Sequence, residues 1–291
     1  MKARRHMDVS HPEWLKQIGM NRLSSTANPR IKRLRQLRNA RHRQQTGLTV
    51  VEGFAPLTIL HARRYPIKTL YIAPDILQQS PRQLELLAGL APQSEEIVAL
   101  TDGLFRKISY RENPEGILAL IQPQITPLAT PAKPAPAFFL VLEDVEKPGN
   151  IGAVLRTADA AGCTGVIITN PRTDLFNPNI IRASMGAVFT VPIRLMSNQE
   201  TLNWCRQHDI RLAVFTPEAQ LPYDEYNPPQ RTAFLFGTEH EGVSPFWRRH
   251  GDDLLTIPMQ GEVNSLNLSN CAAIVAYHFR RFYQASDISS R

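Results

Sequence analysis

Leu142-Glu-Asp-Val-Glu-Lys-Pro-Gly-Asn-Ile-Gly-Ala-Val-Leu-Arg156-Thr-Ala-Asp-Ala-Ala-Gly162 reads as the end of a strand, a turn and a helix. The apolar run Phe138–Leu142 precedes it, Pro148 and Gly149 mark the turn, and Asn150–Ala161 carries the helical pattern. Four more short apolar runs follow at Val166–Thr169, Leu212–Phe215, Ala233–Phe236 and Leu254–Ile257. Helical segments fall between and after them, including Gln199–His208 and Asn267–Phe282. Strands that are apolar throughout, in alternation with helices, predict a parallel sheet covered on both faces. The expected class is therefore α/β.

Two further segments stand at strand ends. Phe236-Gly-Thr-Glu-His-Glu-Gly-Val-Ser244 breaks a strand into a turn with Gly237 and Gly242 flanking Glu239. Ile257-Pro-Met-Gln-Gly-Glu-Val-Asn-Ser-Leu-Asn-Leu-Ser269 opens the last helix. Any one of the three segments alone reads as an ordinary turn or helix cap. All three lie where open α/β sheets bind ligands, beyond the carboxyl ends of strands, which favours a site.

The patterns N-x-G-x-x-x-R, F-G-x-E-x-x-G and I-P-M followed by S-L-N-x-S resemble the three signature motifs of the TrmH (SpoU) family, within the SPOUT superfamily of RNA methyltransferases. The resemblance spans the whole second half of the chain in the same order. It implies a parallel sheet with a deep trefoil knot, S-adenosylmethionine (AdoMet) as cofactor, methyl transfer to a ribose 2′-hydroxyl, and a homodimer with its site near the subunit interface. By position it assigns Asn150, Arg156, Glu239, Ser265 and Asn267 to catalysis, and Gly237, Ile257 and Leu266 to cofactor contacts. Lys147 departs from the acidic residue that many members have before the proline.

The first half adds a charge signal. Residues 1–64 hold fourteen Lys and Arg against three carboxylates, a net +11, while the chain as a whole is +7. A polycationic end implies a polyanionic partner. Asn28 and Pro29 start a basic amphipathic helix in which Ile31, Leu34, Leu37 and Ala40 recur at helical spacing, with Arg30, Lys32, Arg33, Arg35 and Arg38 as candidate RNA contacts. Strand-like Leu48–Val51 and Thr69–Ile72 and helical Phe54–Ala62 and Arg82–Leu90 predict a small α/β domain. The Asn28 start, Val51-Glu-Gly53 and Asn113-Pro-Glu-Gly-Ile-Leu-Ala119 resemble the ribosomal-protein-like substrate-binding domain of rRNA-modifying members. Expected boundaries are a basic extension at 1–20, an RNA-binding domain at 21–121, a proline-rich linker at 122–136, the methyltransferase domain at 137–284 and a tail at 285–291.

Competing classes fare worse. No G-x-G-x-x-G follows a strand, which disfavours a nicotinamide or class I Rossmann enzyme. The histidines form no ligand pair, so no metal is expected. Cys163, Cys205 and Cys271 are too few and too scattered for a disulfide framework. No apolar run is long enough to span a bilayer, and the start lacks the apolar core of a secretory signal, so a cytoplasmic protein is expected. A tRNA 2′-O-methyltransferase remains an alternative to an rRNA enzyme. So does a non-catalytic RNA-binding or ribosome-assembly factor, although Arg156 and the Ser265-Leu-Asn267 element are both retained.

Overall fold

The structure is a computed structural model that describes residues 21–78, 80–129, 135–238, 241–263 and 265–283. The expected extension at 1–20 and tail at 285–291 lie outside the described residues. The chain divides into two compact units, one reaching to Gln124 and including Phe176–Gly186, the other comprising Ile125–Leu175 and Ala187 onward.

In the first unit, helix α1 (Pro29–Gln36) begins where expected: the Asn28 side chain accepts from Arg30 N, and Pro29 occupies the first turn. Ile31, Leu34 and Leu37 turn inward and are buried. The helical pattern does not run on through Ala40. Asn39 instead caps a second helix, α2 (Ala40–Thr46), by accepting from Arg41 N, and Gly47 ends it at φ 62°. The buried Arg43 guanidinium holds this break, donating to the carbonyls of Leu37 (2.7 Å) and Arg38 (3.0 Å). Those carbonyls would otherwise be helix-end orphans.

Next come β1 (Thr49–Glu52), α3 (Phe54–Ala62), β2 (Ile67–Ile72), α4 (Pro81–Leu90), β3 (Ser94–Ala99), α5 (Asp102–Ile108) and β4 (Ile117–Ile121). The four strands form one sheet in the order β1-β4-β2-β3, with only β2 and β3 parallel. The elements Val51-Glu-Gly53 and Asn113–Ala119 meet in it. Gly53 N donates to Ile117 O (3.2 Å), and Phe54 N donates to a Glu115 oxygen (2.7 Å). Glu52 is buried there, accepting from Ser109 Oγ (2.5 Å) and Tyr110 N (2.7 Å), and burial raises its carboxyl above the ordinary range. A piece from the second half of the sequence, α7 in chain order (Pro178–Ala183), belongs to this unit: Thr49 Oγ1 donates to Phe176 O (2.7 Å), and Gly186, at φ 94°, packs on Pro56 and Ile59.

The second unit contains β5 (Ala137–Glu143), α6 (Pro148–Ala161), β6 (Gly165–Thr169), β7 (Ile193–Met196), α8 (Asn198–Gln207), β8 (Arg211–Phe215), β9 (Leu221–Pro222), β10 (Arg231–Phe236), α9 (Pro245–His250), β11 (Asp253–Thr256) and α10 (Leu268–Phe279). All seven strands are parallel, in the order β7-β6-β5-β10-β8-β11-β9. Residues of β5 and β10 are buried along their whole length, as expected for central strands covered on both faces. Phe234 stacks on Phe279 of α10 at 4.6 Å between centroids, which seats that helix on the sheet.

Part of the proline-rich stretch is pinned to this unit rather than spanning free. Ile193 N donates to Thr126 O (2.9 Å), Thr126 Oγ1 donates to Phe189 O (3.0 Å), and Leu128 is buried against the flat face that Gly165 leaves. Among the described residues no helix is long and apolar enough to cross a membrane.

Candidate active site

The carboxyl ends of β5, β8, β10 and β11 open on one side of the sheet, and the three signature segments leave from there. The second and third of them, with the end of β8, wall a cavity of about 780 Å³. Gly237 and Thr238 line it from β10, Ile257 to Met259 from β11, and Ser265, Leu266 and Cys271 from the start of α10. The three residues expected to touch a cofactor, Gly237, Ile257 and Leu266, thus share one cavity, and Ser265 joins them.

Gly237 is glycine for a packing reason. A Cβ there would overlap the carbonyl of Gly242, a backbone group that cannot swing aside. That approach is set by a tight turn in which Thr238 N donates to Gly242 O (2.9 Å) and Gly242 N to Thr238 O (3.1 Å), with Gly242 at φ 66°. The turn separates the large cavity from a smaller one of about 350 Å³, lined by the loop Glu143–Lys147, Asn150 and Ser244.

Asn150 and Asn267 come together although 117 positions apart: Asn267 Nδ2 donates to Asn150 Oδ1 (3.3 Å). Asn150 sits in the first turn of α6, and Asn267 caps α10 by accepting from Ser269 N (2.9 Å). Arg156 is placed otherwise. It is exposed on α6 and lines neither cavity. Six residues are roughly 1.7 helical turns, so Arg156 leaves the helix about 120° away from Asn150. Glu239 lies outside the described residues.

One group was not anticipated. Glu218 lines the large cavity just after β8; Thr216 Oγ1 donates to it, and Arg248 Nη2 reaches it at 3.3 Å. The Thr216 hydroxyl, foremost, holds the Glu218 carboxyl below the ordinary range. The signal was available as Thr-Pro-Glu directly after the run Leu212–Phe215, at a strand end like the others.

The candidate RNA contacts divide in two. Lys32, Arg33 and Arg35 are exposed along α1. Arg30 pairs with Glu96 (2.8 Å), and Arg38 donates to Ser109 O (2.7 Å) while its guanidinium lies 5.1 Å from the Tyr110 ring centre. Burial, above all, pushes the Tyr110 hydroxyl up to about 12. The cysteines are all free thiols, and burial raises each of them, Cys205 to about 12, away from nucleophilic use.

A parallel sheet with a cofactor-sized cavity and converging polar side chains at its strand ends defines an α/β ligand-binding enzyme. Residues 137–277 match the model of the SpoU rRNA methylase family, and residues 28–119 match the MRM3-like substrate-binding domain. A crystal structure of an RNA 2′-O ribose methyltransferase is 35% identical, covers 90% of this chain and 99% of its own, and superposes with a TM-score of 0.79. An AdoMet-bound rRNA methyltransferase from Sinorhizobium meliloti is 26% identical over 91% of this chain and 99% of its own, also with a TM-score of 0.79. A 23S rRNA (uridine(2479)-2′-O)-methyltransferase from Streptomyces viridochromogenes is 29% identical over 83% of this chain and 85% of its own. The chain belongs to the SpoU rRNA methylase family, with an MRM3-like substrate-binding domain preceding the methylase domain.

Proposed function

We propose that this protein transfers the methyl group of AdoMet to a ribose 2′-hydroxyl of ribosomal RNA. The observation that carries the reading is the meeting of Asn150 and Asn267 beside a cavity walled by Gly237, Ile257 and Leu266. The residues present fit the cofactor: the cavity has the volume of a ligand pocket, and the missing Cβ at Gly237 lets the Gly242 main chain close the turn that walls it. AdoMet, when bound, supplies an electrophilic methyl group on a sulfonium.

What remains for the chain is positioning and the hydroxyl proton. Asn150, Asn267 and Ser265 orient the ribose by hydrogen bonds, with Glu239 as the acidic member of the set. Arg156 polarises the 2′-hydroxyl together with a neighbouring RNA phosphate, because a guanidinium alone is a poor base. Its exposed position, turned away from Asn150, supports a homodimer in which Arg156 of one protomer serves the cavity of the other. A trefoil knot is proposed on the family match of residues 137–277, and a cytoplasmic location on the rRNA substrate.

Purified protein incubated with tritiated AdoMet and undermethylated ribosomal RNA is expected to label alkali-resistant dinucleotides, the signature of a 2′-O-methyl group. Label confined to alkali-labile nucleotides would place the methyl on a base instead, and sink the reading.

Substrate capture is assigned to the first unit, with the proline-rich stretch dividing it from the methylase domain. Lys32, Arg33 and Arg35 contact phosphates there, whereas Arg30 and Arg38 spend part of their hydrogen bonding within the protein. Changing the three exposed residues to Ala is expected to flatten the salt dependence of RNA affinity by about 2 in log–log slope, since each phosphate contact contributes roughly 0.7–0.9. An unchanged slope would move RNA binding off this helix.

A further inference from the structure

Glu218 and Arg248 line the large cavity, and the chemistry above gives them no task. Both side chains are accessible, Glu218 at 62% and Arg248 at 41%. The two are nevertheless held in place. Thr216 Oγ1 donates to one carboxylate oxygen of Glu218, and Arg248 Nη2 donates to the other at 3.3 Å. Arg248 is tied in turn through its Nε, which donates to Val243 O (3.2 Å) just beyond the Thr238–Gly242 turn. Each oxygen of Glu218 thus has one protein donor and room for another, with its orientation set before a ligand arrives.

Position says which part of the cofactor such a group meets. Glu218 stands just beyond the end of β8, Asn150 follows β5, and β10 runs between those two strands. Neighbouring strands lie about 4.8 Å apart, so Glu218 leaves the sheet roughly 10 Å to the side of the strand that leads to Asn150. The methyl group has to be delivered where Asn150 and Asn267 meet. Glu218 therefore addresses a part of the cofactor that does not react.

Three such parts compete: the adenine, the ribose with its two neighbouring hydroxyls, and the amino-acid end. Adenine flanks its amino group with bare ring nitrogens, so it satisfies one carboxylate oxygen and repels the other. The cofactor's own carboxylate carries the same charge as Glu218. The ammonium is drawn to Glu218 but has to sit beside the Arg248 guanidinium, which already balances that charge. The diol meets none of these objections. Each hydroxyl donates to one oxygen in a charge-assisted bond, and neither brings a charge to the ion pair. Dinucleotide sites use an acidic side chain on ribose in the same way.

We infer that Glu218 binds the ribose 2′- and 3′-hydroxyls of AdoMet, with Thr216 and Arg248 holding its carboxylate in position. The inference rests on the methyl-transfer reading, which supplies the cofactor. Its consequence is selectivity: the site rejects cofactor analogues that lack either hydroxyl, because the carboxylate is then left with an unfilled place.

Calorimetry on the full chain tests it with S-adenosylhomocysteine, with 5′-methylthioadenosine, which lacks the amino-acid end, and with the 2′-deoxy and 3′-deoxy forms of 5′-methylthioadenosine. In the parent protein each deoxy form is expected to bind roughly 10-fold or more weakly than 5′-methylthioadenosine, the worth of one hydrogen bond to a charged group. Glu218→Ala is expected to weaken S-adenosylhomocysteine and 5′-methylthioadenosine by the same factor, about 10-fold or more. In that variant the penalty for a missing hydroxyl should vanish, leaving 5′-methylthioadenosine and its deoxy forms within about 3-fold of one another. A role confined to holding Arg248 and the turn would weaken all four ligands alike and keep the deoxy penalty, which overturns the inference. Loss for S-adenosylhomocysteine with 5′-methylthioadenosine unaffected assigns Glu218 to the ammonium and overturns it too. Either outcome leaves the methyl-transfer reading intact, whereas a parent protein that binds none of the four ligands strikes both.

Discussion

Arg156→Ala is expected to lower single-turnover methyl transfer roughly 10²–10⁴-fold, the range that a positioned proton-transfer group supplies. S-adenosylhomocysteine affinity should stay within a few-fold of the parent protein. The separation follows from the geometry: Arg156 is exposed on α6 and lines neither cavity, so its loss removes nothing from the wall of the proposed cofactor cavity. Stability should change little too, since a substitution on an exposed helix face by a strong helix former costs at most a few tenths of a kcal/mol. Calorimetry with S-adenosylhomocysteine and rapid-quench transfer on ribosomal RNA check the two halves. Near-normal transfer would mean that the hydroxyl proton leaves by another route. A matching loss of cofactor affinity would mean that Arg156 belongs to the cofactor site.

The strands that hold the site were legible because each is a short apolar run bounded by turn residues. The run Phe138–Leu142 widened to Ala137–Glu143 and Ala233–Phe236 to Arg231–Phe236, shifts confined to the strand ends. Less legible were elements whose pattern is set by tertiary context. The strand β3 begins Ser94-Glu-Glu, polar residues with no apolar alternation, and is fixed by pairing with β2. The strand β9 is two residues long and owes its existence to β11. Local spacing could not show that α1 stops before Ala40, because the buried Arg43 that closes the break reads as one more surface arginine. Nor could it show that Phe176–Gly186 is grouped with the first unit.

Of the site residues, Asn150 and Asn267 meet through a hydrogen bond, and Gly237, Ile257, Leu266 and Ser265 line one cavity. The turn of α6 that separates Arg156 from Asn150 is also arithmetic available from the sequence, since six residues do not return a helix to the same face. Glu218 and Glu143 are different. Thr216 holds Glu218 locally, while Arg248, 30 positions on, reaches it only in the fold; Glu143, which lines the smaller cavity, is held by Asn198 and Ser244, both distant in sequence.

Gly237→Ala is expected to weaken S-adenosylhomocysteine binding about 100-fold or more, comparable to losing a first contact in a preorganised site. The added methyl would overlap the Gly242 carbonyl carbon and oxygen and the Val243 nitrogen, all main-chain atoms, so only displacement of the Thr238–Gly242 turn can relieve it. That turn walls both cavities, and its displacement disturbs cofactor and substrate together. The strand before it, buried along its length between β5 and β8, should keep the domain folded, which circular dichroism and a cooperative melt would verify. Gly237→Ala and Arg156→Ala then become complementary defects. If Arg156 serves the partner's cavity, co-expressing the two inactive chains makes mixed dimers with one site rebuilt from an intact cavity and an intact arginine. Random pairing gives about half mixed dimers, each with one working site of two, so about a quarter of the parent activity should return. If Arg156 acts within its own protomer, every site in the mixture lacks either the arginine or the cofactor, and no activity returns. Recovery near a quarter therefore establishes a site built from two protomers, and the absence of recovery with mixed dimers present assigns Arg156 to its own chain.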